Sequence, residues 1–318
     1  MPNLNLTSCL VALVVLSVFV GLGCKRPDGG SGGAATRRAA PLKPPAQVVH
    51  TVALMGDSTR TDLLGSIASA FGVSSRSTGD QRCIVMQRGN CEYRLIAADD
   101  DRAPSQARVA FQADLAILAV DATQGPLPIH REHMLLARQM GVPELRVALT
   151  RSHLVDDPQL LELEELELRE LLNLYAMNGD NARFAHDSTK SKAPQNWSGV
   201  RGPTQLVDAL VGISARTPTA LAPARERSSA ELYVLATKEA FTPSVAATIQ
   251  SGRVTMLIGD EQIAVQLNTS QPIAPGGVGR VEFVFPAPVQ HPSAQRFVLV
   301  REHHIAAAGV LCSDAAPK

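Results

Sequence analysis

Residues 115–120, LAILAV, constrain the fold more than any other stretch of this chain. Six consecutive apolar residues leave no polar face. A strand built from them must be covered on both sides, as in a parallel sheet flanked by helices. The neighbouring pattern supplies the other layers. Residues 48–55 (VVHTVALM) form a second apolar run ending at Gly56, and residues 62–71 then carry apolar side chains at helical spacing. Residues 82–86 and 91–97 flank Gln87-Arg88-Gly89-Asn90, which predicts a hairpin. Residues 128–140 are helical and stop at Gly141-Val142-Pro143. Residues 145–149 form a further strand. Asp156-Asp157-Pro158 then opens a helix running to Tyr175, with carboxylates suited to the positive helix end and Pro in the first turn. This alternation predicts an α/β domain over 48–213, with a mostly parallel sheet and helices on both faces.

The pattern changes after a Pro- and Ala-rich linker, residues 214–228. Residues 229–313 hold six short β-like runs, ELYVLA, RVTMLIG, EQIAVQL, RVEFVF, RFVLVRE and IAAAGVL, with turn residues at Gly259-Asp260 and Pro275-Gly276-Gly277. Short strands with such turns predict an antiparallel barrel or sandwich.

Composition excludes several functions. Lys+Arg and Asp+Glu both number 30, so no net charge drives nucleic-acid binding. One Trp and three Tyr are too few for a base-stacking surface. Five Cys without a C-x-x-C pair do not make a zinc site, and His130 and His133, at i and i+3, lack an identifiable third ligand. Cys83 and Cys91 flank the hairpin without standing directly opposite each other, so their pairing stays open. No Ser/His/Asp arrangement is legible.

The amino terminus predicts export. Residues 9–23 are an uncharged apolar run of 15, short for a membrane span and suited to a signal-peptide core. The run ends at Cys24. It resembles a bacterial lipoprotein signal, in which a Cys after small residues is lipidated, although Gly21 stands where that pattern has Leu and MPNLNLTS lacks a basic residue. The expectation is a leader over 1–24, a Gly/Ser- and Pro-rich tether over 25–47, and a lipoprotein held at the membrane of the bacterial cell envelope through Cys24.

A longer resemblance lies in the body. ADLAILAVDATQGPLPIHREHMLLARQMGVP (113–143) and the stretch through VDDPQLLELEELELRELL to residue 172 resemble elongation factor Tu, a translational GTPase. SSAELYVLATKEAFTP, PIAPGGVGRVEFVFPAPV and QRFVLVREHHIAAAGVL resemble the third domain of that family. The likeness covers roughly 50–178 and 228–312. It implies a P-loop GTPase-like α/β domain followed by a β-barrel, without the family's middle domain, which helps bind transfer RNA. Delivery of transfer RNA is therefore not expected.

The chemical parts that the resemblance calls for are altered. A phosphate loop reads G-x-x-x-x-G-K-[ST], its backbone cradling phosphates, its Lys neutralising them and its Ser/Thr holding magnesium. This chain reads Gly56-Asp57-Ser58-Thr59-Arg60-Thr61-Asp62. With two residues deleted, Arg60 falls at the Lys position and Thr61 at the magnesium position. Without the deletion, Asp62 falls at the Lys position. The family's Asp-Cys-Pro-Gly-His becomes Ala97-Ala98-Asp99-Asp100-Asp101, an acidic turn that would repel a triphosphate. The guanine-reading Asn-Lys-x-Asp becomes Thr150-Arg151-Ser152-His153, and the Ser-Ala-Leu motif becomes Ser188-Thr189-Lys190. Arg82-Cys83-Ile84-Val85 lacks the phosphate-sensing Thr. Gly56, Arg60, Thr61 and Asp99 are thus vestigial nucleotide and magnesium positions. No cofactor and no catalytic residue is expected, and the chain reads as a non-catalytic binding or structural protein. The helices at 128–140 and 158–175, with the barrel, resemble the family's partner-binding surfaces. Two alternatives remain: a divergent GTPase using GTP and magnesium through Arg60, Thr61 and Asp99, and a surface adhesion module.

Overall fold

The computed structural model describes residues 48–192, 197–217 and 219–312. The apolar run at 9–23, Cys24 and the tether lie outside them. An eight-stranded sheet forms the first body. Its strands are β1 (Val48–Gly56), β2 (Arg76–Thr78), β3 (Gln81–Arg88), β4 (Cys91–Ala98), β5 (Leu115–Asp121), β6 (Leu145–Thr150), β7 (Phe184–His186) and β8 (Val200–Arg201), in the order β2-β3-β4-β1-β5-β6-β7-β8. The pairings from β4 through β8 are parallel; β2, β3 and β4 pair antiparallel. All seven residues of β5 are buried, as an apolar central strand requires.

Five helices cover the two faces: α1 (Thr59–Phe71), α2 (Ala103–Gln112), α3 (Pro128–Gln139), α4 (Pro158–Leu174) and α5 (Gly202–Asp208). Leu63, Leu64 and Ile67 of α1 pack with Leu206 and Val207 of α5 on one face. Ala107 of α2, Leu136 of α3 and Leu168 of α4 pack on the other. The local signals behind these helices are clear. Gly72 ends α1 in the left-handed conformation, its N–H returned to Ala68 and Ser69. Asp157 caps α4 by accepting from the Gln159 N–H, with Pro158 next. No helix among the described residues is long and apolar enough to cross a membrane.

The second body is a closed antiparallel barrel in the order β10-β11-β12-β9-β14-β13. Its strands are β9 (Arg225–Val234), β10 (Gly252–Ile258), β11 (Glu261–Asn268), β12 (Val278–Val289), β13 (Arg296–Arg301) and β14 (His304–Leu311). Closure removes exposed edges. Phe283 and Phe297 meet edge to face in its interior, 5.2 Å apart. Eleven of the described residues between α5 and β9 are coil, and Arg216 ties them to the α/β body.

The hairpin and the helix at 128–140 bear on two of the sequence readings. The strands β3 and β4 meet through the two-residue turn Gly89-Asn90, with Arg88 opposite Cys91 and Cys83 opposite Ile96. Cys83 packs against one face of the sheet and Cys91 against the other, so they do not form a disulfide. Of the helix at 128–140, nine residues, Ile129 and Leu135 among them, are buried. It lies between sheet and barrel. The helix α4 presents an apolar outer face, with Leu160, Leu163, Leu166 and Leu174 each more than half exposed.

Candidate functional site

The site is the connection between β1 and α1, at the carboxyl end of the sheet, where α/β folds bind ligands. The helix starts at Thr59, three residues earlier than its apolar spacing predicts, so only Asp57 and Ser58 separate it from β1. A phosphate cradle needs a longer loop of free N–H groups. Gly56 makes the sharp departure. Its φ is +103°, and a Cβ there would stand 2.0 Å from the Ala119 carbonyl oxygen. Its glycine character is thus required by close approach to β5.

Asp57 occupies the place at the helix N-terminus that an anion would take. Its Oδ1 accepts from Thr59 N (2.8 Å) and Thr59 Oγ1 (2.5 Å). Its Oδ2 accepts from Asp121 N (2.8 Å) and from His130 Nε2 (3.1 Å). The His130 Nδ1 accepts from Leu127 N, which leaves the ring proton on Nε2. Burial alone would raise the carboxyl's pKa; the hydrogen bonds from His130, Thr59 and the Asp121 N–H outweigh it and hold the value at about 2. The carboxylate is an internal anion with both oxygens hydrogen-bonded inside the protein.

Arg60 does not face the cleft. It is 1% exposed. Its Nε and Nη2 donate to Ala98 O, Nη2 also to Asp100 O, and Nη1 to the Gly56 and Asp57 carbonyls and to the Asp101 carboxylate. All five guanidinium protons therefore have acceptors, and none is left for a phosphate. Thr61 donates its hydroxyl to Ser58 O, at 2.9 Å. Asp99 pairs with Arg82 (2.7 Å), Asp100 with Arg102, and Asp101 with Arg60. The acidic turn is thus shared among three arginines, and no metal-ligating cluster is present among the described residues. Gly56, Arg60, Thr61 and Asp99 do not line the cleft.

What lines the cleft is different. A cavity of about 340 Å³ is bounded by Asp57, Asp101, Asp121, Arg151, Ile129 and Phe241, among others. Asp121, 1% exposed, accepts from Thr123 N and Oγ1, Gln124 and Arg151 Nη1. Burial would raise its pKa; the Thr123 and Gln124 hydrogen bonds and the Arg151 charge lower it. With Arg60 paired to Asp101 and Arg151 to Asp121, the Asp57 carboxylate leaves the cleft with a net negative charge, opposite in sign to what a triphosphate needs. A larger groove of about 610 Å³ lies between the end of α2, the linker and the barrel, and holds none of the candidate nucleotide residues.

The base-reading segment is closed on itself. Arg151 N, Ser152 N and Ser152 Oγ all donate to the Asp187 carboxylate, while His153 is exposed. Thr150 Oγ1 lies 2.7 Å from Thr59 Oγ1 and bonds to the Val120 carbonyl. His133 is wholly buried, accepting from Gly56 N at 3.0 Å; burial and the Arg60 charge push its pKa down to about 3, so it stays neutral. The two α3 histidines therefore serve separate polar partners. Sequence reasoning gave no role to Asp57 or Asp121 and weighed His130 only as a metal ligand. The available signal was Asp57 itself, an acid directly after the glycine where the helix N-terminus favours an anion.

Residues 103–226 match the family model described as Elongation factor Tu GTP binding domain. The matched span runs from the start of α2 to the start of β9 and begins after the β1–α1 connection. With the sheet topology and the barrel that follows, the match supports kinship of the α/β body with the GTP-binding domain of elongation factor Tu-like translational GTPases, on a P-loop GTPase-like fold.

Proposed function

We propose that this chain is a non-catalytic relative of the translational GTPases, a binding or structural protein whose nucleotide site has become part of its core. One observation carries the reading. Asp57 fills the anion position at the α1 N-terminus while Arg60, the nearest cation, spends all five protons on internal acceptors. A phosphate would have to displace a hydrogen-bonded carboxylate and detach a buried arginine. The negative cleft adds repulsion. A titration of the full chain with a fluorescent GTP analogue and magnesium tests this. The expected result is no saturable micromolar binding. Saturable binding abolished by Arg60→Ala would establish the second reading, a divergent GTPase, which the family match at 103–226 favours.

The binding role falls to α4. Its leucines at 160, 163, 166 and 174 face outward beside Glu162, Glu167 and Glu170, which suits an apolar, basic protein partner. The proposed location is the bacterial envelope, with lipid on Cys24. Labelled palmitate incorporated by the wild type and lost in Cys24→Ala supports the anchor; equal labelling refutes it.

A further inference from the structure

The apolar core of the α/β body continues into the barrel. Leu118 of β5 and Leu136 of α3 share one buried cluster with Leu257, Val298, Ile305 and Ala308 of the barrel strands. Polar groups of α3 cross the same joint. Gln139, 6% exposed, donates through Nε2 to Phe297 O (3.0 Å) and Gly309 O (3.3 Å). Glu132, 5% exposed, accepts from Ile305 N (2.5 Å) and pairs with His304 Nδ1 (2.8 Å). The His304 ring is stacked on Phe241, centroids 3.8 Å apart. At the start of α2, the Ala103 N–H donates to His303 O in the β13–β14 turn. At the opposite end, Arg216 of the linker donates Nη1 to Phe111 O and Nη2 to Met140 O, both at 2.7 Å. One guanidinium thus closes the negative ends of both helices and ties the direct linker to them.

We propose that this joint is locked: the barrel and the α/β body have a single relative placement, and α3 is the bolt. A partial slip would leave Glu132, Gln139 and the Ile305 N–H dry and unpaired, and full separation would wet the shared apolar cluster. Packed interfaces of this kind do not deform gradually. The lock reaches the cleft, because the same helix carries His130 and His133, which hold Asp57 and Gly56. The cleft and barrel are therefore fixed together. This inference does not rest on the absence of nucleotide binding.

Hydrogen exchange of the full chain, read by mass spectrometry with and without GTP and magnesium, tests it. Peptides from α3 and β14 are expected to exchange as slowly as β5, with no change on adding nucleotide. Exchange in α3 or β14 at least about tenfold faster than in β5 would show an opening joint and overturn the lock. Protection confined to β1–α1 on adding GTP would refute the nucleotide reading and leave the lock standing. In Gln139→Ala, and separately in Glu132→Gln, exchange in α3 and β14 should rise together while β11 stays unchanged. Acceleration in α3 alone, or none, also overturns the proposal.

Discussion

Replacing Asp57 by Asn isolates the internal anion from nearly everything else. The side chain keeps its size and loses its charge. In the wild type, four donors converge on two carboxylate oxygens: Thr59 N and Oγ1 on one, Asp121 N and His130 Nε2 on the other. An asparagine offers one oxygen, so its amide must point donors at two of these groups. Turning the His130 ring does not help, because its Nδ1 is needed by Leu127 N. With the amide turned toward Thr59, the Thr59 hydroxyl can accept from it and donate to Thr150 Oγ1, so Thr59 N alone is left unpaired; that buried donor, with the lost charge, gives an expected loss of about 2–3 kcal/mol. The single tryptophan, Trp197, reports urea unfolding of the α/β body, and the midpoint should fall with the slope unchanged. An independent check comes from pH. The Asp57 carboxyl has a folded pKa of about 2 against an ordinary 3.8. A depressed acid contributes stability that is fully present above the ordinary value and lost as pH falls through the folded one. The wild type should therefore lose about 2 kcal/mol from this group between roughly pH 4 and pH 2, and the Asn variant should lack that component. A loss under about 1 kcal/mol at pH 7, with an unchanged acid limb, would mean that Asp57 is not the organising anion of this site.

Three further outcomes are expected. Burial, then the charges of Asp121 and Glu167, push the Glu164 carboxyl up to about 7, and its Oε2 lacks a hydrogen-bond partner. An acid with a raised folded pKa loses stability as pH rises from its unfolded value through 7, so Glu164→Gln should stabilise by ~1–2 kcal/mol at pH 8 and not at pH 4, in paired urea titrations. Gly56→Ala should be severely destabilised, by about 3 kcal/mol or more, since its Cβ meets the Ala119 carbonyl at 2.0 Å on a φ of +103°; thermal melting reads this directly. Oxidation of the folded protein should leave Cys83 and Cys91 both alkylatable after unfolding, and a Cys83–Cys91 linked peptide in the mass spectrum would contradict the opposite-face assignment.

The fold was legible because its signals are local and periodic. LAILAV has no polar face, so its burial on both sides follows from solvation alone. The six barrel runs alternate inward and outward, and each became a strand. Asp157-Pro158 is a cap that reads the same in any context. The start of α1 was misplaced because Thr59, Arg60 and Thr61 have no apolar periodicity. Their helicity depends on Asp57 capping the turn and on Arg60 reaching carbonyls nearly forty residues away. The buried state of α3 was equally hidden. Its outer face carries Glu132 and Gln139, polar residues that normally mark solvent, and only the barrel's approach turns them into buried partners.

The altered motifs acquire a common logic once their partners are known. Polar residues at and around those motifs have internal counterparts. Asp57 takes donors from Thr59, Asp121 and His130, and Arg60 serves carbonyls and Asp101. Arg151 pairs with the buried Asp121, and Asp187 collects the donors of the 151–152 turn. A ligand site keeps polar groups unpaired until the ligand arrives, at a standing cost in stability. Here that cost is absent. On the function proposed above, pairing them internally removes the affinity and the reason for a movable loop, in keeping with the two-residue connection between β1 and α1. Single reversions should then fail to restore phosphate binding, because freeing one partner strands the other. Arg60→Lys, for instance, returns the family's residue type but leaves Asp101 and the Ala98 carbonyl without their donor, so it should lower stability without creating GTP affinity.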